Sequence, residues 1–315
     1  MDKNMYIINA LSNMHVGSGD VNFGVIDNLI QRDVITLLPN INSSGLKGAI
    51  REFFKNYYNE DNKAEFIKSV FGSEPKETDS DEGGTDEEKD NNANNTGNKS
   101  KKKKSNQQGA FRFFEANLLS IPVRSNCIPF FMATSIHIVK ELLYKADNFG
   151  INLGEFETSL RDLAILSVEK NRPIVFNHNY EYKEDDNDDE RVYIEEHSWK
   201  SIFKENNQLE MLERFFGAPL ILLNDKDFSS VCDNNNLPVI ARNNLENGQS
   251  QNLWYEQILP RFSKLYFTLI KEQPVKPIDD LFEIFDRNIE NNVIQIGANA
   301  TIGYGYCRIK NINNI

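Results

Sequence analysis

Apolar and polar positions follow a mixed order along this chain. Residues 5–11 form an apolar-rich run that predicts a strand, and residues 23–38 read as an extended stretch stopped by Pro39. Leu46, Ala49, Ile50, Phe53, Phe54 and Tyr57 then recur at helical spacing, with Ser43 or Ser44 placed to cap the helix start. Residues 110–119 alternate as a strand, and helices are expected over 135–145 and 156–170. Residues 173–182 and 191–195 predict a hairpin around an acidic tip, followed by two short helices ending at 216–217. Strands are expected at 220–223 and 238–241, and residues 243–252 read as a polar loop before the apolar-rich 254–259. A strand at 265–270, a helix at 278–289 and strands at 293–296 and 304–309 complete the pattern. This mixture predicts an α+β fold with an antiparallel sheet rather than a βαβ series. No internal repeat with a period of about 20–50 residues is visible.

One segment interrupts the pattern. Residues 73–108 are almost devoid of apolar side chains and run acidic, then Asn-rich, then into Lys101–Lys104. Such a stretch cannot bury enough surface to offset its ordering entropy, so it is expected to be a disordered insertion within one domain spanning 1–315. The four lysines read as a flexible solvated tract, with contact to RNA as the alternative.

Composition changes the picture in only a few ways. With 315 residues, 39% of them hydrophobic and 21 of them Phe, the chain can bury a substantial core. Its 47 acidic against 35 basic side chains give a net charge of -12, which is awkward for a nucleic-acid binder. Much of that acidity is local: residues 184–190, Glu-Asp-Asp-Asn-Asp-Asp-Glu, are nearly all acidic and read as a solvated loop. Overall charge therefore neither supports nor excludes RNA. Cys127, Cys232 and Cys307 are odd in number and widely spaced, which suits neither a disulfide framework nor a zinc site. The first residues do not read as a signal peptide, and no run approaches the ~18 apolar residues of a membrane helix. A cytoplasmic location, away from membranes, is the expectation.

Four places have the chemistry for a site. In His15-Val-Gly-Ser-Gly-Asp20 two glycines permit positive φ and close backbone approach. His15 there is either a general acid or base or a plain hydrogen-bonding turn residue. In Ser43-Ser-Gly-Leu-Lys-Gly-Ala-Ile-Arg51 a helix start offers free N–H groups, and Lys47, Arg51 and Lys55 recur every fourth residue as a basic stripe. That segment is either an anion site or an ordinary amphipathic helix with a solvated basic edge. It lacks the GxxxxGK[ST] pattern, which disfavours nucleotide hydrolysis. Gly297–Tyr306 joins two strands through small residues; it is either a flat surface for a polyanion, with Tyr304 and Tyr306 as stacking partners, or a hairpin turn. Asp27 lies in an apolar run, where a carboxylate needs solvent, a partner or a ligand.

Taken in order, His15-Val-Gly-Ser-Gly-Asp20, Val25-Ile-Asp-Asn-Leu-Ile-Gln-Arg-Asp33, Ser43–Arg51 and the Gly303-Tyr-Gly305 loop resemble the RAMP superfamily of CRISPR proteins. Gly109-Ala-Phe-Arg-Phe-Phe-Glu-Ala-Asn-Leu-Leu119, Ile121-Pro-Val-Arg-Ser125, Leu253-Trp-Tyr-Glu-Gln-Ile-Leu-Pro260 and Gln295-Ile-Gly297 narrow the resemblance to the backbone subunit of the type III-B (Cmr) effector, its fourth named component. It covers nearly the whole chain apart from residues 73–108 and an acidic hairpin tip at 183–191.

The resemblance implies a ferredoxin-like, RRM-like palm carrying an inserted β-hairpin thumb, here within residues 232–260. It further implies copies stacked head-to-tail with other Cmr subunits along a CRISPR RNA (crRNA), and cleavage of the paired target RNA at regular intervals by a metal-dependent endoribonuclease activity. By the same resemblance, Asp27 is the catalytic aspartate and an indirect contact to a hydrated divalent ion (Mg2+ or Mn2+) bound only with target RNA. Ser43, Ser44, Lys47, Arg51, Gly303, Tyr304 and Gly305 would hold guide backbone, and His15, Tyr255 and Glu256 would lie near the cleavage site. Two other readings stay open: a non-catalytic crRNA-binding filament scaffold with the nuclease elsewhere, and a standalone nuclease that processes guide precursors and makes His15 central.

Overall fold

The computed structural model describes residues 1–19, 24–73, 107–126, 128–176, 191–195, 197–200, 202–204 and 207–315. Asp20, the acidic run 184–190 and Lys101–Lys104 lie outside the described residues.

Strand Asp2–Ala10 holds four consecutive buried residues, Met5 to Ile8, as a strand covered on both faces must. It pairs antiparallel with Lys264–Lys271 on one side and Tyr306–Asn311 on the other. Lys264–Lys271 pairs in turn, again antiparallel, with Ala116–Arg124. The spatial order is therefore last, first, third, second. The first helix, Ser43–Tyr57, follows strand one and the helix Leu281–Asn291 precedes the last strand. Both crossings pack together, since the rings of Phe54 and Phe285 stack with centroids 5.4 Å apart. This is the split βαβ arrangement of a ferredoxin-like palm.

The sheet extends beyond the palm. Phe130–Ser135, Leu220–Leu223, Ile174–Phe176 and Ile202–Lys204 continue it outward from Ala116–Arg124, with parallel pairing at Phe130–Ser135 to Leu220–Leu223 and at Ile174–Phe176 to Ile202–Lys204. Helices Ile136–Phe149, Phe156–Ala164 and Leu209–Phe216 pack in series beside this second half. Among the described residues no helix is long and apolar enough to cross a membrane.

Several local expectations are corrected. Of the expected hairpin, residues 177–182 lie outside the described residues; Ile174–Phe176 is wholly buried and belongs to the large sheet, and Arg191–Ile194 pairs with His197–Lys200. Before Gly217 the described residues hold one short helix rather than two, preceded by the strand Ile202–Lys204. The helix from Phe156 ends at Ala164, well before 170. Asn42, not Ser43 or Ser44, occupies the N-cap of the first helix. Residues 243–252 are not a loop but the outer half of a two-stranded ribbon, Val239–Glu246 paired with Gln249–Gln257. Its outer part is exposed on both faces, so no apolar alternation marks it. The turn residues Asn247 and Gly248 have φ of 51° and 81°, which an Asn-Gly pair adopts readily.

The ends of the expected insertion are ordered. Gln108 bridges Gly72, and the Ser73 amide donates to the Gln107 carbonyl at 2.8 Å. The chain therefore leaves the palm and re-enters it at one point.

The palm contains a buried charge cluster. Lys271, 1% exposed, donates from Nζ to Asp286 at 2.6 Å and lies 3.0 Å from Asp2, over the rings of Tyr6 and Phe282. The Tyr6 hydroxyl donates to the other Asp286 oxygen at 2.6 Å. Burial and then the Asp286 charge push that hydroxyl's pKa well up, so it remains a donor. Removing the cation takes a charge-assisted hydrogen bond from Asp286 and an ion pair from Asp2, both partly exposed, and Lys271→Met is expected to cost about 2 kcal/mol. A urea titration reads this; an unchanged midpoint would mean that the pair merely breaks even.

Candidate nucleic-acid interface

The turn after strand one is the hub of the site. Met14 exchanges two backbone hydrogen bonds with Leu259, at 2.8 and 2.9 Å, which docks the turn on the chain leaving the ribbon. On its other side Gly17 bridges Ile30, with Ser18 donating to the Leu29 carbonyl and Gln31 to the Val16 carbonyl. His15 points inward and is 5% exposed. Its Nδ1 is 2.7 Å from the Gln257 carbonyl, so Nδ1 carries the proton and donates. The His15 carbonyl accepts from the Ala298 amide at 2.9 Å. Gly297, with φ of 94°, is packed so closely on that carbonyl that a Cβ would not fit. His15 thus joins the ribbon base to the glycine-rich loop.

Asp27 is exposed and is mounted on the ribbon. Its amide and that of Asn28 both donate to the Tyr255 carbonyl at 3.1 Å, and the Tyr255 amide donates back to Asp27 Oδ2 at 2.7 Å. Asp27 Oδ1 has no hydrogen-bond partner among the described residues. Tyr255 contributes backbone, while its ring is 38% exposed. The next residue, Glu256, is 6% exposed and takes hydrogen bonds from Trp254 Nε1 and Asn299 Nδ2, both at 2.9 Å.

The glycine-rich loop returns the chain to the last strand. Gly303 and Gly305 have φ of 84° and 77°; Gly303 is open to solvent, whereas Gly305 is pressed against the Ile296 carbonyl. The Gly305 amide donates to the Asn13 carbonyl at 2.8 Å, so this loop also rests on the hub. Tyr304 is half-buried, its ring facing the Arg242 guanidinium at 5.7 Å. Tyr306 remains 39% exposed.

Gln31 ties the first helix to this assembly. Its Nε2 donates to the Gly17 carbonyl at 3.1 Å, and its Oε1 accepts the Asn42 amide at 2.8 Å. The helix N-terminus therefore starts from a fixed place beside the turn. Ser44, Gly45 and Gly48 are exposed, Ser43 is half-buried, and a Cβ added at either glycine would meet no atom within 4 Å. Two glycines that pack against nothing cost helix stability, which makes sense if something outside the chain approaches that face.

The model of the RAMP superfamily matches residues 7–308. The chain belongs to the RAMP superfamily. It is similar to the CRISPR system Cmr endoribonuclease Cmr4 of Pyrococcus furiosus, 28% identical over 317 residues, which cover 95% of this chain and 92% of that protein. Among solved structures it resembles a chain of a type III-B Cmr-beta complex in the apo state, with a TM-score of 0.69, 18% identity and coverage of 98% and 96%. It also resembles oligomeric Cmr4 from Pyrococcus furiosus, with a TM-score of 0.63, 18% identity and coverage of 99% of each chain.

In this RAMP chain the basic stripe is not the simple solvated edge that its four-residue spacing suggested. Arg51 turns back to donate to the Gly72 carbonyl at 3.2 Å, and Lys55 lies 3.9 Å from Glu52. Lys47 is the group most affected by its neighbours: burial first, then the charges of Arg51 and Arg112, hold its pKa below the usual lysine value. Arg112 comes from the strand Phe111–Phe113 and was not a candidate from sequence. An anion beside these three cations would relieve their mutual repulsion.

Gln31, Arg242 and Asn299 were likewise missed. Gln31 carried a signal, a polar residue closing an apolar run, but its two partners are known only from the fold. Of the residues singled out from sequence, Asp27, Tyr255, Glu256, His15 and the Gly303–Gly305 loop are joined by direct contacts around the ribbon base. Ser43, Ser44, Lys47 and Arg51 are attached to them through Gln31.

The two helix glycines allow a prediction with opposite signs. Gly45→Ala with Gly48→Ala should raise stability by about 1 kcal/mol through helix propensity. The same pair should weaken RNA binding by adding methyl groups to the approached face. Thermal denaturation and a gel-shift titration read the two effects; unchanged RNA affinity would show that the face is not used.

Proposed function

We propose that this chain is the repeated backbone subunit of a type III-B CRISPR effector, which binds crRNA and cleaves complementary target RNA at regular intervals. Copies stack head-to-tail with other Cmr subunits in the cytoplasm, and the ribbon Val239–Gln257 serves as the thumb. The similarity to a protein named for Cmr endoribonuclease activity supports this reading, as does the likeness to Cmr-beta bound to cognate target RNA. The observation that carries it is the mounting of an exposed Asp27 carboxylate on the ribbon strand, whose next residue is bound to the glycine-rich loop.

Guide backbone would run over the N-terminal turn of the first helix, where exposed amides and the positive end of the helix dipole favour phosphate. Lys47, Arg51 and Arg112 supply charge beside it. The Gly303–Gly305 loop, bare of large side chains apart from Tyr304, admits the backbone closely.

The cleavage step requires little from the protein. In a nucleotide displaced from the duplex, the 2′-oxygen forms a bond to the adjacent phosphorus while the bond to the 5′-oxygen breaks. The products are a 2′,3′-cyclic phosphate and a 5′-hydroxyl, and the 2′-hydroxyl proton is passed to base or water while the leaving oxygen gains one. Asp27 Oδ1 orients that hydroxyl, with Oδ2 fixed by Tyr255, so that positioning supplies much of the rate.

Among the described residues no three His, Cys, Asp or Glu side chains converge. A divalent ion would be held through Asp27, with phosphate and water completing its shell. When bound, Mg2+ or Mn2+ would offset charge developing on the scissile phosphate. That arrangement fits binding only when target RNA is present.

The test is reconstitution with the other effector subunits and a guide. Complementary RNA should be cut into evenly spaced products bearing cyclic phosphate ends, and non-complementary RNA should stay intact. Cutting of guide-precursor RNA by the isolated chain would instead support a processing nuclease.

A further inference from the structure

The mounting of Asp27 involves contacts that the cleavage step does not use. Glu256 is buried, and both of its carboxylate oxygens are occupied: Oε1 by Trp254 Nε1 and Oε2 by Asn299 Nδ2, each at 2.9 Å. Oε2 is also 3.5 Å from Arg242 Nη1. The Arg242 guanidinium faces two rings, Trp254 at 6.0 Å and Tyr304 at 5.7 Å. Arg242 and Trp254 are directly opposite one another on the two strands of the ribbon, whereas Asn299 and Tyr304 belong to the glycine-rich loop. Tyr255, whose backbone carries Asp27, lies between Trp254 and Glu256.

A side chain committed in this way is poorly placed to ligate an ion or to exchange a proton with substrate. It is well placed to hold two pieces of chain in fixed relation. Resting on the function proposed above, we infer that Glu256, Arg242 and Asn299 form a latch that sets the register between the loop holding guide and the carboxylate acting on target. Glu256 is then a positioning residue that determines which phosphodiester meets Asp27. Without the latch the ribbon could shift on the loop, carrying Asp27 along the target backbone.

Glu256→Ala, Arg242→Ala, Asn299→Ala and the conservative Glu256→Gln test this on two levels. The first uses the protein without RNA. Hydrogen exchange at amides 249–257 and 297–305 should rise about tenfold in each alanine variant, and by an intermediate amount in Glu256→Gln, which keeps one acceptor oxygen but loses the charge facing Arg242. Unchanged exchange in Arg242→Ala and Asn299→Ala would overturn the latch. Asn299→Ala lies in the loop and guards against a variant that simply fails to fold.

The second level uses the assembled effector with guide and target, read by the length of each product and by the Mg2+ concentration giving half-maximal rate. The alanine variants should cut at neighbouring phosphodiesters as well as the normal one, up to about 10²-fold more slowly, with an unchanged Mg2+ midpoint. Glu256→Gln, which keeps one of the two acceptor oxygens, should retain the normal product as the main one. If instead Glu256→Gln is as inactive as Glu256→Ala, with intact product register and a raised Mg2+ midpoint, Glu256 is a ligand and the inference fails. An effector that never cleaves refutes the proposed function, while the exchange measurement still judges the latch.

Discussion

Asp27→Asn is expected to leave guide and target binding intact and to reduce target cleavage by at least about 10²-fold, the range for losing the group that positions a reacting hydroxyl. The substitution is informative because it preserves the mount. An Asn side-chain oxygen can still accept the Tyr255 amide that Asp27 Oδ2 accepts at 2.7 Å, and the two amides donated to the Tyr255 carbonyl are backbone groups. Only the charge and the second oxygen's acceptor character are removed. Binding is read by gel shift of the assembled effector, and cleavage by denaturing gel at saturating target. Cleavage within twofold of wild type would leave the chain a scaffold, with the nuclease in another subunit. Asp27→Ala should be more disruptive, because it also frees the Tyr255 amide and loosens the segment on the ribbon.

Gly305→Ala is expected to produce the largest loss of stability among single substitutions in the loop, about 2–5 kcal/mol. Two costs act together there. The residue has φ of 77°, and its Cβ would run into the Ile296 carbonyl, with Gln295 Nε2 3.0 Å away. Gly303→Ala is the control: φ is 84°, yet a Cβ would meet nothing within 4 Å, so only the backbone cost of about 1–2 kcal/mol applies. Urea denaturation separates the two. Equal losses would mean that conformation alone, and not close packing on Ile296, requires glycine at 305. Because the Gly305 amide also donates to Asn13, its substitution should disturb the hub and lower guide affinity as well as stability.

Much of the palm was legible in advance. The spacing of Leu46, Ala49, Ile50, Phe53, Phe54 and Tyr57 predicted the buried face of the first helix; Leu46, Ile50, Phe53 and Phe54 are buried, whereas Ala49 is half-buried and Tyr57, in the last turn, is exposed. The ribbon was obscured because the alternating pattern fails where both faces of a strand meet solvent. Asn247-Gly248 was the one available signal, and the surrounding asparagines concealed it. His15 was left open between acid–base chemistry and turn bonding; its burial against Gln257 favours the bonding role. Arg51 kept its helical position but not its expected solvent exposure, since the Gly72 carbonyl captures it from the end of another helix.

Apolar periodicity by itself determined the α+β class, the first helix and the strands flanking the palm, because a side chain's face follows from spacing within a few residues. Motif order in the sequence also pointed to the family. Only tertiary structure decided how the chemistry is assembled, because the deciding contacts join distant positions. Asp27 and Tyr255 are 228 residues apart in sequence, and His15 and Gln257 are separated by 242. Glu256 was placed near the cleavage site by the resemblance alone, and only the fold shows it buried between Trp254, Arg242 and Asn299. A carboxylate's role depends on what surrounds it, and those surroundings are made by chain folding back from elsewhere.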